Sequence, residues 1–258
     1  MNFKNTKSYS QYNEDLLLKS IFNNKSGICV EVGANDGITL SNTLFFEKLG
    51  WKCILVEPDP ELYKLIQLNR KHSTAFNIAA SDRKIKNIDF YIPEYNNLYS
   101  SLEKRSTMSD IISHNKVPVK KIKVNCDKLD TILRAAGINS IDFIVIDVEG
   151  HELSVLKGLS LSLWRPLILI IEDSTDISLA RNKSKIYRHM KRNNYLNFYR
   201  SGGNDWYIER KNFNFLFLIK LILHFDLKGL AIANLPFFIK NLIINTIRFM
   251  RYKCPRFF

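Results

Sequence analysis

Two short stretches hold the residues best placed to do chemistry. In Val30-Glu-Val-Gly-Ala-Asn-Asp-Gly37, the apolar run Ile28-Cys29-Val30 leads into an acidic residue and a glycine turn, and the amphipathic run Ile38–Leu49 follows. This order predicts a strand over about 27–33, a glycine loop, and a helix over about 38–49. Glycine lets a ligand approach the backbone closely, and a helix start offers unbonded N–H groups. Gly33 and Gly37 are spaced G-x-x-x-G, not the G-x-G-x-x-G of a dinucleotide loop. Glu31 would repel a pyrophosphate but suits a cationic amino-acid group or ribose hydroxyls. The loop therefore favours S-adenosylmethionine over NAD, against the plainer reading of a turn that is only a turn.

The second stretch is Asp147-Val-Glu-Gly-His-Glu152, three acids and a histidine directly after the apolar run Phe143-Ile-Val-Ile146. Burying such charge is costly unless it is paired or liganded, although acids also suit a solvated helix start. Asp147 is expected at the sheet edge, facing a cofactor, with Glu149 beside it. His151 titrates near neutrality and is a candidate to take a proton from a hydroxyl, its alternative being a structural histidine. Glu172-Asp173 ends the next strand, so Asp147 and Glu172 are expected to face each other. Asp147, Glu172 and Asp173 offer the hard oxygens that Mg²⁺ or another divalent ion prefers; a metal-free site with one carboxylate as base is the alternative.

Three further positions complete the candidates. Glu57 stands 20 positions after Gly37 at the end of a strand, where an acid accepts hydrogen bonds from both ribose hydroxyls of NAD or S-adenosylmethionine alike; otherwise it serves a helix N-terminus. In Asn77-Ile-Ala-Ala-Ser-Asp82 the small residues would let an adenine ring lie flat, and Ser81 or Asp82 is placed to bond its amino group. Asp82 also reads as a turn residue.

The elements that must hold these residues alternate. A helix is expected over 11–22, strands over 52–57, 74–79, 87–92, 119–125, 141–147 and 167–171, and helices over 60–71, 127–136, from about 150, and 182–193. Two strands close the pattern at 195–200 and 205–209. Asp59 and Pro60 suit a helix start. Alternating strands and helices mean a mostly parallel α/β sheet with helices on both faces, and continuous β-branched strands fit burial on both sides. Ligands in such sheets sit at the carboxyl ends of the strands, where Glu31, Glu57, Asp147 and Glu172 all fall. Residues 94–116 are polar and irregular, a candidate lid or substrate loop.

The 258-residue chain suits one large domain, or a domain plus a tail, and 46% hydrophobic content supports a packed core. A formal charge of +13 favours anionic partners such as nucleic acid, an acidic membrane surface or phosphorylated glycan carriers, or reflects a lysine-rich composition alone. The four cysteines form no C-x-x-C pair, so neither zinc nor a redox motif is suggested. No secretory signal is expected at the first residues, and no uncharged apolar run is long enough to span a bilayer. Residues 211–258 change character: apolar and aromatic runs carry eight cations against one anion, Asp226. Such a segment reads as basic amphipathic helices lying in a membrane interface, or as a cap on the domain or on a second copy in a homodimer.

Tyr9-Ser-Gln-Tyr-Asn-Glu-Asp15, the Glu31–Gly37 loop, Val56-Glu-Pro-Asp-Pro60, Asn69-Arg70, Ser100-Ser-Leu102, Asp147–Glu152 and Trp164-Arg-Pro166 occur in this order over about residues 8–210. Together they closely resemble the FkbM family of S-adenosylmethionine-dependent methyltransferases. The resemblance implies a class I methyltransferase domain over 1–210, with residues 1–26 as a helical cap and 211–258 as the tail, and a seven-stranded sheet whose final strand is reversed. It implies an O-methyltransferase acting on a hydroxyl of a sugar, glycan or related metabolite; the tail, read as membrane-interfacial, adds a lipid-linked saccharide and a peripheral place at the cytoplasmic membrane face as expectations. Glu31, Gly33, Ala34, Asn35 and Gly37 would line the methionine part, Glu57 would hold the ribose, and Asp147 would sit by the transferred methyl with Glu149 and Glu172 near. Gln11, Glu14 and Asp15 would cover the cofactor. Glu31 departs from the aspartate common there. Asp-Val-Glu-Gly replaces the Asp-Pro-Pro-Tyr of enzymes that methylate nucleic-acid amino groups, so nucleic acid is not expected as substrate. An NAD-linked sugar-modifying enzyme and a non-catalytic membrane-associated scaffold are the rival readings.

Overall fold

A computed structural model describes residues 6–23, 25–93, 100–102, 118–175, 184–214 and 217. Most of the 94–116 loop and nearly all of the tail lie outside the described residues. In chain order the elements are α1 (Glu14–Phe22), β1 (Ile28–Val32), α2 (Leu44–Lys48), β2 (Lys52–Val56), α3 (Pro60–Asn69), β3 (Thr74–Phe76), β4 (Ala79–Ser81), β5 (Ile85–Pro93) and β6 (Val119–Lys128). There follow α4 (Leu129–Ala135), β7 (Phe143–Ile146), α5 (Glu152–Lys157), α6 (Leu161–Trp164), β8 (Ile168–Glu172), α7 (Lys185–Arg192), β9 (Tyr195–Ser201) and β10 (Asn204–Glu209).

The main sheet has seven strands in the order β3-β2-β1-β7-β8-β10-β9. Strands β3, β2, β1, β7 and β8 are mutually parallel, and β10 runs antiparallel between β8 and β9, as the reversed last strand. The central strands are buried on both faces, and their side chains alternate between two cores. Phe143, Val145, Ile168 and Ile170 face one side with Leu18, Phe22, Phe46 and Trp51, while Ile144, Ile146, Leu169 and Ile171 face the other with Val155, Leu156 and Met190. On the first side the rings of Phe22, Phe46, Trp51 and Phe143 meet at centroid distances of 4.8–5.7 Å. Phe217, at the start of the tail, is buried on this side against Phe198, with centroids 5.2 Å apart.

Two expectations are corrected. The strand expected over 74–79 is two strands. β3 ends the main sheet, whereas β4 joins β5 and β6 in a separate three-stranded sheet of order β4-β6-β5. The helix expected over 38–49 is only the five-residue α2. Side chains divert the donors that a helix would have used. Asp36 accepts from Ile38 N and Thr39 N at 2.8 and 2.7 Å, Glu31 accepts from Asn42 N at 2.7 Å, and Asn35 and Leu40 hold positive φ.

Candidate functional site

One cavity opens at the carboxyl ends of β1, β2 and β7, the edge where such sheets bind ligands. Its floor includes Gly33, Ala34 and Asn35, whereas Gly37, expected beside them, does not line the wall. Gly33 N and Ala34 N both bond Val56 O, at 2.9 and 3.2 Å, and Gly37 N bonds Ala34 O at 2.9 Å. Gly33 has φ +87°, and a β-carbon there would lie 1.8 Å from Asp147 O. The loops after β1 and β7 thus touch backbone to backbone, a contact that requires this glycine.

Glu31 and Arg70 suspend the next segment between them. Glu31, 4% exposed, accepts from Ser41 Oγ, Asn42 N and Thr43 Oγ1 at 2.9, 2.7 and 2.5 Å. Arg70, 2% exposed, donates to Gly37 O at 2.9 Å, Ser41 Oγ at 3.2 Å, Thr43 Oγ1 at 3.1 Å and Glu47 at 2.6 Å. Burial alone would lower the guanidinium pKa; the Glu31 and Glu47 carboxylates override it and hold the pKa above its ordinary value. Glu31 reaches the cavity wall, but this hub engages much of its acceptor capacity. Arg70 was visible in the sequence only as half of an Asn-Arg pair. Its role depends on a fold-back from the end of α3 that no local pattern encodes.

Glu57 is 5% exposed and accepts from Asn35 N and Asp59 N, both at 2.9 Å. Burial is the main cause that pushes its pKa up to about 8; the two backbone bonds oppose it and the Asp59 charge adds to it. Because the folded value lies above the ordinary 4.5, Glu57 favours the fold most below pH 4.5, and that contribution is lost as pH rises through about 8. The wild type should therefore lose stability relative to Glu57→Gln across this window, by up to about 1.4 kcal/mol per pH unit. Urea denaturation of both proteins from pH 5 to 9 checks this. Parallel pH profiles would contradict it.

At the far side of the cavity stand Asp147 and Glu149, and Glu172, which does not line the wall, places a carboxylate oxygen within 4.8 Å of theirs. Asp147 N bonds Val32 O at 3.0 Å. Glu149 and Gly150 both have positive φ, 53° and 104°. Glu152 sustains this turn: 3% exposed, it accepts from Gly150 N at 2.7 Å and Val148 N at 3.3 Å. Ser101 Oγ donates to Glu149 O at 2.8 Å. Glu152 was missed as a functional residue, although an acid opening a helix beside Glu-Gly was the available signal. Asp173 stands outside the trio, with its carboxylate accepting from Thr175 N at 3.0 Å and from Ser184 Oγ at the start of α7.

His151 lines the cavity, and its Nε2 lies 3.0 Å from Ser81 Oγ. Ser81 and Asp82 do not line the wall; Asp82 pairs with Arg83 at 3.0 Å, and Ala79 and Ala80 stand there instead. Their displacement follows from β4 leaving the main sheet. From the N-terminal motif, Gln11 and Glu14 reach the cavity. Glu14 is fully buried and accepts from Tyr12 N at 2.7 Å, Ser201 Oγ at 3.0 Å and Asn204 Nδ2 at 3.1 Å, which clamps α1 to the β9–β10 hairpin. Asp15 instead holds its own segment through Ser8 Oγ, Tyr9 N and Ser10 Oγ at 2.6, 2.7 and 3.0 Å.

Although the chain carries +13, the described residues lining the cavity include five carboxylates (Glu14, Glu31, Glu57, Asp147 and Glu149) and no lysine or arginine. The cavity thus suits a polyol or a cationic group better than a phosphate. A family model described as the methyltransferase FkbM domain matches residues 31–196. Similar solved structures include a ribosomal protein L11 methylase from Lactobacillus delbrueckii subsp. bulgaricus, at 13% identity and TM-score 0.41, covering 76% of this chain and 75% of that one. Another is a methyltransferase from Geobacter sulfurreducens, at 13% identity and TM-score 0.40, covering 79% and 82%. No curated protein is significantly similar to the chain in sequence.

Proposed function

Because the chain belongs to the FkbM methyltransferase family, we propose that it moves the methyl group of S-adenosylmethionine to a hydroxyl of a sugar, glycan or lipid-linked saccharide. The observation that carries this reading is the pair Asp147 and Glu149 on the wall of the cavity that Glu57 also lines, with a Glu172 carboxylate oxygen within 4.8 Å of theirs. Methyl transfer is an in-line displacement: the acceptor oxygen–carbon bond forms as the sulfur–carbon bond breaks, leaving S-adenosylhomocysteine, and the hydroxyl proton must go to a base. Asp147 takes that proton, with Glu149 and Glu172 beside it, while His151, held to Ser81, orients the turn. Glu57 accepts the ribose hydroxyls, Ala79 and Ala80 flank the adenine, and Gly33, Ala34 and Asn35 border the methionine part with Glu31 behind, while Gly37 closes the loop through Ala34 O. The trio also fits a divalent cation such as Mg²⁺ through three hard oxygens, which would polarise an acceptor hydroxyl. The Asp-Val-Glu-Gly turn supports oxygen over nucleic-acid amino groups as acceptor.

A thermal-shift series with S-adenosylhomocysteine, NAD and Mg²⁺ tests the reading. Ligand at one hundred times its dissociation constant should add about 2.7 kcal/mol for S-adenosylhomocysteine and nothing for NAD. A shift with NAD alone would support the sugar-modifying rival, and none with any ligand the scaffold. Extracted glycans incubated with the protein and S-adenosylmethionine should gain the mass of one methylene.

A further inference from the structure

The strongest surface feature outside the cavity is α7. Its inward residues Ile186 and Met190 are buried in the core, and Ser184 caps its start by accepting from Tyr187 N at 3.1 Å. Its outward residues Lys185, Arg188, Lys191 and Arg192 are all exposed, and residues 184–194 contain no acid. Among the described residues, none of the four forms an ion pair. Exposed Lys157 from α5 adds to the same field: burial first, then Lys157 and Arg192, lowers the pKa of His189. At the other end of the helix, Arg210 N bonds Asn194 O at 2.8 Å, which brings exposed Arg210 beside the end of α7. A single-sign face of this size creates a potential that draws an anionic partner.

We propose that this face docks the domain on a membrane surface rich in acidic phospholipid. The sequence that follows Arg210 favours a lipid partner over nucleic acid. Residues 213–223 read Phe-Asn-Phe-Leu-Phe-Leu-Ile-Lys-Leu-Ile-Leu, and the segment to 258 repeats the pairing of apolar runs with cations. Apolar and aromatic runs suit an acyl boundary. Single-stranded nucleic acid would call for exposed stacking rings among the cations, and the two ring side chains of α7, Tyr187 and His189, are half-buried.

The test is co-sedimentation of the full chain with phosphatidylcholine vesicles, with and without phosphatidylglycerol. The wild type should bind the anionic vesicles more tightly, and salt should weaken this binding. Each cation near an acidic surface is worth about fivefold in affinity, so joint Lys185→Gln, Arg188→Gln, Lys191→Gln and Arg192→Gln should weaken it at least ~30-fold. Arg188→Lys with Arg192→Lys keeps the charge and should bind as the wild type. Lys64→Gln and Lys71→Gln, exposed away from α7, should cost little. Equal binding of both vesicle types by the wild type overturns the proposal, and so does full binding by the α7 glutamine variant. Displacement from anionic vesicles by a single-stranded RNA at lower charge concentration than the lipid would assign the face to nucleic acid instead. The S-adenosylhomocysteine thermal shift, read on every variant, confirms folding and reports separately on the proposed cofactor site.

Discussion

Replacing Asp147 with alanine should cut methyl transfer by ~10²-fold or more while S-adenosylhomocysteine binds within about threefold of wild type. Asp147 opens the loop after β7, and its backbone holds that loop through Val32 O. Truncation also removes one of three carboxylates whose oxygens lie within 4.8 Å of one another, and with it a like-charge repulsion. Folding should therefore not suffer, and a lost rate with intact cofactor affinity isolates the reacting end of the cavity. Asp147→Asn separates charge from shape: it keeps the outline, lacks the base, and should be as slow as the alanine variant. Labelled methyl transfer to extracted glycans gives the rate, and calorimetry with S-adenosylhomocysteine gives the affinity. Wild-type turnover in either variant would remove Asp147 from the mechanism.

Gly33→Ala should do structural harm. The added carbon would sit 1.8 Å from Asp147 O and 3.0 Å from its carbonyl carbon, with φ at +87°. The obstacle is backbone, so no side-chain rotation relieves it. Either β1 and β7 part at their ends, losing the bond from Asp147 N to Val32 O, or the loop lifts away from Val56 O. Both outcomes undo the cavity floor. A destabilisation of more than about 3 kcal/mol is expected from overlap and left-handed strain together, read by urea denaturation, with loss of the S-adenosylhomocysteine thermal shift. Gly50→Ala is the control: it has φ +82° and open space around its β position, so it should cost only about 1–2 kcal/mol of conformational strain. Equal stability of the two variants would show that the inter-loop contact is not tight.

The sheet was legible because its signal is local. The apolar runs at 28–30, 53–56, 143–146 and 167–171 are continuous and rich in β-branched residues, and an acid follows each. Strand ends fix where ligands go, so Glu31, Glu57 and Asp147 could be assigned to one edge before any coordinates. What escaped depends on distance along the chain. Arg70 acts on Ser41 and Thr43 across 29 and 27 positions, and Glu14 on Ser201 and Asn204 across 187 and 190. The short α2 escaped because competing side-chain acceptors, Asp36 and Glu31, override an amphipathic pattern that reads as a longer helix. Ser81 stands off the cavity wall for a topological reason. Placing β4 in a second sheet turns its hydroxyl toward His151.

The backbone contact between Gly33 and Asp147 has an evolutionary corollary. Two loops in touch at main-chain level lack independent travel, so neither can be reshaped to welcome a new acceptor without dislodging the other. Diversification of acceptor preference is thus steered toward other described residues of the cavity wall, namely Gln11, Ser100, Leu102 and Asn204, while the pair itself stays frozen.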